Sequence, residues 1–166
     1  MALTKSEIKN RCKSAIREYT TDFFSNNMLE QWISDAVYDI QWKTRSYEVS
    51  TSITTTNGVA IYSKPTTINS TAIKTIGIDT IIQSNTNTLT KVPISAINKV
   101  FTSTTKPQYF AEWGDNFRIS PVPTASYTLN LYCWGATGWT ASGTLTTLND
   151  EYLHLIPIFV THKALQ

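Results

Sequence analysis

The spacing of apolar residues changes near Tyr47, and this change constrains the fold more than any other feature of the chain. Upstream of it, apolar residues recur every three or four positions, which is typical of amphipathic helices. Downstream, they alternate with polar residues, as in half-buried strands, until helical spacing returns near residue 149. The sequence therefore predicts an α+β fold with an N-terminal helix pair, a small antiparallel β-meander or sandwich, and a C-terminal helix. We expect a single domain over residues 1–166, with a helical part at 1–46, a mainly β part at 47–148 and the last helix at 149–166.

Capping signals mark the starts of the predicted helices. Thr4 and Glu7 are spaced as a capping box, in which each side chain accepts a hydrogen bond from the other residue's backbone N–H. One of the asparagines at 26–27 is expected to cap the second helix, and Asn149 the third. Pro157 lies within the third helical pattern. It either kinks that helix or belongs to its first turn.

Turn signals divide the first half of the β part. The dipeptide Asn57-Gly58 favours a hairpin between strands at 47–56 and 59–64. Residues 72–83 predict another pair of strands around Gly77, and residues 94–101 a short helix.

The segment 107–134 predicts three strands in succession. The first, 107–113, ends at the turn Gly114-Asp115-Asn116 and returns over 117–120. Prolines 121 and 123 cannot donate to a β-ladder, so they end that strand. The third strand, 127–134, carries aromatic residues on both of its faces, which suggests that both are covered. We expect the three strands to form an antiparallel meander.

The chain carries few charges. They make up 16% of its residues, against about 25% in typical soluble domains. Two explanations stay open. In the first, the base composition of the genome and a β-rich fold favour threonine over charged residues. In the second, neighbouring proteins cover much of the surface, where an unpaired charge is costly to desolvate. The net charge of +2 is too small to indicate affinity for nucleic acid or membranes.

No segment predicts secretion or membrane insertion. The longest apolar run, residues 155–160, is far shorter than the ~20 residues that span a bilayer. The first residues lack the apolar core of a signal peptide, as in a cytosolic product. Cys12 and Cys133 are then expected to be buried or half-buried thiols rather than a disulfide.

The ionisable residues form no recognisable catalytic or metal-binding pattern. Asp35 and Asp39 are one helical turn apart, but a solvated helix face explains them better than a shared site. Glu151 and His154 have the Glu-x-x-His spacing of di-iron bundles, which need a second copy and further glutamates. His154 and His162 are eight residues apart and make no ligand pair by themselves. The sequence therefore predicts no enzyme, no metal and no cofactor.

Tryptophan is the unusual feature of the composition. Trp32 falls in the apolar stripe of the second helix and is expected in the core. Trp113 borders a turn, Trp134 ends a strand and Trp139 lies in a glycine- and threonine-rich stretch. Exposed aromatic residues at such positions are typical of binding surfaces. For Trp139 a protein interface, local packing, and stacking on a sugar or base all stay open.

Three stretches resemble the head-to-tail adaptor (connector or head-completion) proteins of tailed bacteriophages. Residues 23–48 are similar to the family's second helix and the strand that follows it. Residues 106–135 are similar to its Pro-x-Tyr…Gly…Ile…Pro-x-Pro…Tyr-Thr-Leu-x-Leu signature, and residues 148–165 to its final helix. The signature positions are Pro107, Tyr109, Gly114, Ile119, Pro121, Pro123, Tyr127, Thr128, Leu129, Leu131 and Tyr132.

This resemblance implies a structural virion protein at the head–tail junction, assembled in the cytoplasm of the host bacterium. Its copies would form a homo-oligomeric ring, commonly a dodecamer, that docks beneath the portal protein and contacts the next tail or nozzle protein. Genomic DNA would pass nonspecifically through the central channel during ejection. The family usually continues into a longer C-terminal segment that engages the portal, so we expect that contact to be missing or organised differently here. The expected interface residues are Trp139, Trp134, Trp113, Tyr152, Phe159 and His162.

Two other functions stay open from the sequence. A tail-tube or collar component would share most of the features above. A carbohydrate-binding β-module could use Trp113, Trp134 and Trp139 as stacking platforms. Such a module would not need the helical N-terminal quarter.

Overall fold

The structure is a computed structural model that describes residues 4–16, 24–68, 71–84, 86–98, 106–137, 148 and 150–166. The chain divides into two compact units. The helical unit comprises Met1–Tyr47 and Ala136–Gln166, and the β unit comprises Glu48–Gly135. The fold class is α+β, as the sequence predicts. The expectation of one domain over residues 1–166 stays a prediction.

The helical unit contains α1 (Lys5–Ala15), α2 (Asn26–Thr44), a short 3₁₀ helix (Asp150–Tyr152) and α3 (Leu155–Ala164). Helix α3 packs against both α1 and α2. Their apolar faces form one core, and Trp32 packs against it as predicted. Its buried residues are Ile8, Cys12, Leu29, Ile33, Ala36, Val37, Ile40, Leu148, Leu153, Ile156 and Val160.

The helix starts agree only partly with the capping predictions. The Thr4–Glu7 capping box is present, and both of its hydrogen bonds form. Helix α2 is capped by Ser25, whose hydroxyl accepts from the Met28 N–H, so the prediction of an asparagine cap is wrong. Pro157 lies in the first turn of α3, where its missing N–H removes no helical hydrogen bond. Asn149 lies outside the described residues.

The strands of the β unit are β1 (Glu48–Thr54), β2 (Ile61–Ser63), β3 (Thr67–Ile68), β4 (Thr71–Ala72), β5 (Lys74–Gln83), β6 (Asn87–Thr88), β7 (Thr90–Lys91), β8 (Tyr109–Trp113), β9 (Asn116–Ser120) and β10 (Thr128–Ala136). Within the described residues they form two four-stranded sheets. In the first sheet the order is β1-β10-β5-β6, and in the second it is β2-β9-β8-β7, with β7 and β8 parallel. A separate hairpin joins β3 to β4.

The two sheets share one core, which makes the unit a sandwich. Residues of both sheets contribute to it, so each sheet has an inner face toward the core and an outer face away from it. Strand β1 pairs antiparallel with β10 along its whole length, from Glu48 opposite Trp134 to Thr54 opposite Thr128. The buried core residues are Ile78, Ile81, Leu89, Phe110, Phe117, Ile119, Leu129, Leu131 and Cys133.

The turn at Asn57-Gly58 does not make the predicted hairpin. The turn exists, with Gly58 at φ +78°, but β1 pairs with β10 and β2 pairs with β9. The chain therefore crosses from one sheet to the other at this turn. The Tyr62 hydroxyl holds the crossing by accepting from the Thr56 N–H and donating to the Val59 carbonyl.

The three-strand meander over 107–134 is also corrected. Strands β8 and β9 form the predicted hairpin, with Gly114 at φ +57° in the first position of a two-residue turn. Strand β9 ends at Ser120, before Pro121, as predicted. After the proline break, however, β10 joins the first sheet rather than pairing with β9.

Two smaller predictions are wrong. Residues 74–83 form the single strand β5 instead of a strand pair around Gly77. Residues 94–98 form turns, and the remainder of the short helix predicted at 94–101 lies outside the described residues. No helix in the described part of the chain is long and apolar enough to cross a membrane.

Candidate interaction surfaces

The acidic and histidine residues that the sequence singles out are engaged in local contacts or exposed. Asp39 pairs with Lys43 at 2.8 Å, and Asp35 accepts from the Gln31 side-chain amide. His154 is exposed at the start of α3, and the His162 ring lies 3.0 Å from the Gln166 amide nitrogen. Among the described residues no three His, Cys, Asp or Glu side chains are placed to hold a metal ion.

The two cysteines are free thiols in separate cores. Cys12 lies in the helical core and Cys133 between the sheets. Burial raises the pKa of each thiol to about 12, because the thiolate would lose its hydration. Neither thiol has the lowered pKa that nucleophilic catalysis requires.

A buried carboxylate clamp, which sequence reasoning missed, connects the two sheets. Glu112 of β8 pairs with Lys64 at 2.7 Å and with Lys91 at 2.5 Å. Lys64 is only 8% exposed. Burial alone would raise the pKa of the Glu112 carboxyl, but the hydrogen bonds and charges of both lysines outweigh it and hold that pKa below its usual value.

The clamp also satisfies the backbone of β5. Glu112 accepts from the Ile78 N–H, Lys91 donates to the Ile78 carbonyl, and Lys64 donates to the Ile76 carbonyl. In the described residues, strand β6 pairs with β5 at Ile82 and Gln83, which lie at the end of β5 away from Ile76 and Ile78. Side chains from the second sheet therefore take the place of a neighbouring strand along this edge, so the clamp has a structural role.

The outer face of the second sheet carries an apolar surface, which we call the tryptophan patch. Trp113 is 66% exposed, Ile61 50% and Ile94 41%. They border a groove of about 330 Å³ whose lining also includes Asn98, Asn116, Phe117 and Arg118. Ile61 is paired with Arg118 in the ladder, and Trp113 with Asn116, which places these side chains on one face. Large exposed apolar side chains around a groove are typical of protein interaction sites.

The outer face of the first sheet carries a different surface, which we call the acidic groove. It has a volume of about 560 Å³, and its lining includes Tyr132, which is 46% exposed. Two acidic residues, Glu48 and Asp79, also line it. The exposure of Tyr132 corrects the expectation that both faces of the 127–134 strand are covered. The other lining residues are Val49, Ser50, Thr80, Ile82 and Cys133.

Two of the predicted interface residues, Trp113 and Trp134, lie on different surfaces of the β unit. Trp113 is 66% exposed in the tryptophan patch, whereas the Trp134 indole packs on Gly77 on the outer face of the opposite sheet. Because these two indoles lie on opposite faces, they do not make a shared stacking platform for a sugar. Trp139 lies outside the described residues.

The other three predicted residues belong to the helical unit. Tyr152 and Phe159 are partly buried against its core, and Lys163 lies over the Phe159 ring. His162 is exposed. Sequence reasoning missed Ile61 and Tyr132 as surface residues, although their alternation with inward-facing neighbours could have indicated them.

Comparison with known proteins assigns the chain to a family. The model of the family described as SU10 adaptor protein matches residues 4–166. No curated protein matches the sequence. The match covers the helices of the helical unit and the whole β unit. The chain therefore belongs to the SU10 adaptor protein family, whose members are non-enzymatic adaptors between phage head and tail.

Proposed function

We propose that this protein forms a homo-oligomeric ring that docks beneath the portal and joins the capsid to the tail around a DNA channel. The observation that carries the proposal is the family match over residues 4–166. A ring needs a heterologous contact between identical copies that repeats by rotation until it closes. Each copy must then present two different surfaces to its neighbours, besides those that contact the portal and the next tail or nozzle protein.

The distribution of exposed apolar side chains supports several partners. The helical unit exposes Met28, Trp42 and Ile158, and the β unit exposes Ile61 and Trp113. Single exposed apolar residues are normal on a monomer, but a groove bordered by three of them is typical of an interface. The low content of charged residues fits a surface that neighbours cover.

The predicted interface residues enter the proposal with different support. Trp113 has the strongest, because its side chain is exposed at the border of a groove. His162 is exposed on α3, and Tyr152 and Phe159 are partly exposed. The Trp134 side chain is only partly exposed. The interface role of Trp139 stays a prediction.

Electron microscopy of the purified protein, alone and mixed with the portal protein of the same phage, tests this function. We expect closed rings on the portal, with particles that accept the tail or nozzle protein only when the adaptor is present. An unrelated portal serves as the control for specific docking. Protein that never bound its portal, or that assembled only with tail-tube proteins, would overturn the proposal.

A further inference from the structure

The two surfaces of the β unit carry opposite charges. Among the described residues that line the tryptophan patch, the one cation is Arg118, beside apolar and amide side chains. The acidic groove contains two carboxylates, Glu48 and Asp79, beside the half-exposed ring of Tyr132. Within the described part of the chain, none of these three charged groups makes an ion pair. All three are therefore available to a partner.

Both surfaces also expose apolar or aromatic side chains that could be buried against each other. Trp113 and Ile61 project apolar side chains from the second sheet, whereas the acidic groove is shallow and open, with Tyr132 and Ile82 in its lining. Aromatic side chains that are buried near the centre of an interface and surrounded by other contacts contribute most of the binding energy in typical interfaces. An arginine beside them can bind a carboxylate through two parallel hydrogen bonds.

The two surfaces lie on opposite sides of the sandwich. Arg118 alternates along β9 with the core residues Phe117 and Ile119, and Tyr132 alternates along β10 with Leu131 and Cys133. Each therefore points away from the shared core, in opposite directions. A contact between such surfaces on two copies is heterologous, because each copy uses one surface for the neighbour on either side.

We propose that the tryptophan patch of one copy docks on the acidic groove of the next copy, with Arg118 facing Glu48 and Asp79. This inference rests on the proposed ring and identifies the surfaces that close it. The partner is a second copy of this chain. The charge complementarity of the two surfaces, and their placement on opposite faces, favour it over a different protein.

Charge reversal on each surface tests the inference. In the Arg118→Glu variant both surfaces are acidic, and in the Glu48→Arg/Asp79→Arg variant both are basic. We expect each variant alone to assemble on the portal at a concentration about a hundredfold higher than the wild type, or not at all, because like charges would face one another at every contact. An equimolar mixture should restore rings, since each acidic patch then meets a basic groove and each basic patch an acidic groove.

Lys74→Glu supplies the matched control, because Lys74 is exposed on β5 and lines neither surface. Circular dichroism and thermal unfolding establish that each variant is folded, and the rescue in the mixture confirms it independently. Wild-type rings together with variants that assemble as well as Lys74→Glu would overturn this inference and leave the proposed function intact. Charge-reversal variants that still form rings and lose only portal or tail binding would likewise overturn this inference and leave the proposed function intact. Wild-type protein that forms no ring on its portal would overturn both.

Discussion

The indole of Trp134 lies against the backbone of Gly77 so closely that a Cβ atom at Gly77 would be 2.5 Å from the Trp134 Nε1 atom. The two residues belong to β10 and β5, neighbouring strands of the first sheet. Glycine is needed at this position for space, since nothing about its φ angle excludes other residues. The contact explains how a large aromatic residue fits on the outer face of a closely paired sheet.

Gly77→Ala should therefore destabilise the β unit by about 1–3 kcal/mol, because the new methyl group displaces the indole. Chemical denaturation followed by circular dichroism measures the change. In a double-mutant cycle with Trp134→Ala, the cost of Gly77→Ala should fall substantially once the indole is absent. An unchanged cost in that background would show that the strain has another source.

Glu112→Gln should destabilise the protein by about 3 kcal/mol. The change removes the charge that compensates Lys64, which is almost fully buried, and the loss of one partner of a buried pair is costly. Asp39→Asn is the matched control, because the Asp39–Lys43 pair is exposed and should contribute no more than about 0.5 kcal/mol. Equal effects of the two substitutions would contradict the structural role of the clamp.

The unfolding free energy should fall in acid because the Glu112 carboxylate becomes protonated. The folded pKa of Glu112 is below the unfolded value of 4.5, so the unfolded chain binds the proton more readily. The contribution is complete above pH 4.5 and is lost as the pH falls toward and through the folded pKa. Unfolding free energies of wild type and Glu112→Gln, measured from pH 7 downward, should converge in acid. Parallel curves would be the contrary result.

Trp113→Ala should separate assembly from stability. Trp113 is largely exposed, so we expect its removal to change the unfolding free energy by no more than about 0.5 kcal/mol while it weakens ring formation. Phe117→Ala, at a buried position beside it, should cost about 3–5 kcal/mol. Rings that form normally with Trp113→Ala would remove this side chain from the interface.

DNA should bind weakly at physiological salt. The chain has a net charge of +2, and a channel through which DNA slides is served by few lysine–phosphate or arginine–phosphate contacts. A gel-shift titration at increasing salt measures both the affinity and the number of phosphate contacts. Tight binding with a steep salt dependence would contradict the expectation.

Local signals in the sequence predicted the positions of turns and helix starts better than they predicted which strands pair with each other. The Thr4–Glu7 box and the Gly114 turn depend on residues close in the chain, and both are present. The Asn57-Gly58 turn is also present, but its dipeptide specifies only a reversal of direction. Which sheet the next strand joins is decided by core packing between distant residues, so the predicted hairpin failed there.

The candidate surfaces were predictable only in part, because local sequence signals do not specify contacts between residues that are distant in the chain. Trp113 could be identified because it borders a turn, and it is exposed. The Glu112 clamp could not, since Lys64, Lys91 and Glu112 are far apart in sequence and are brought together by strand pairing in the second sheet. The acidic groove likewise depends on β1 and β5 flanking β10, which no periodicity reveals.

The pairing of Glu48 with Trp134 has a consequence for how such a chain could be built. The polypeptide enters and leaves the β unit at adjacent positions of one ladder, roughly 5 Å apart between Cα atoms. The β unit is thus an insertion between α2 and α3. A short linker from Tyr47 to Ala136 would span the distance between the two ends of this insertion. The β unit should therefore be replaceable by another domain, or removable, without a change in the order in which α1, α2 and α3 are connected.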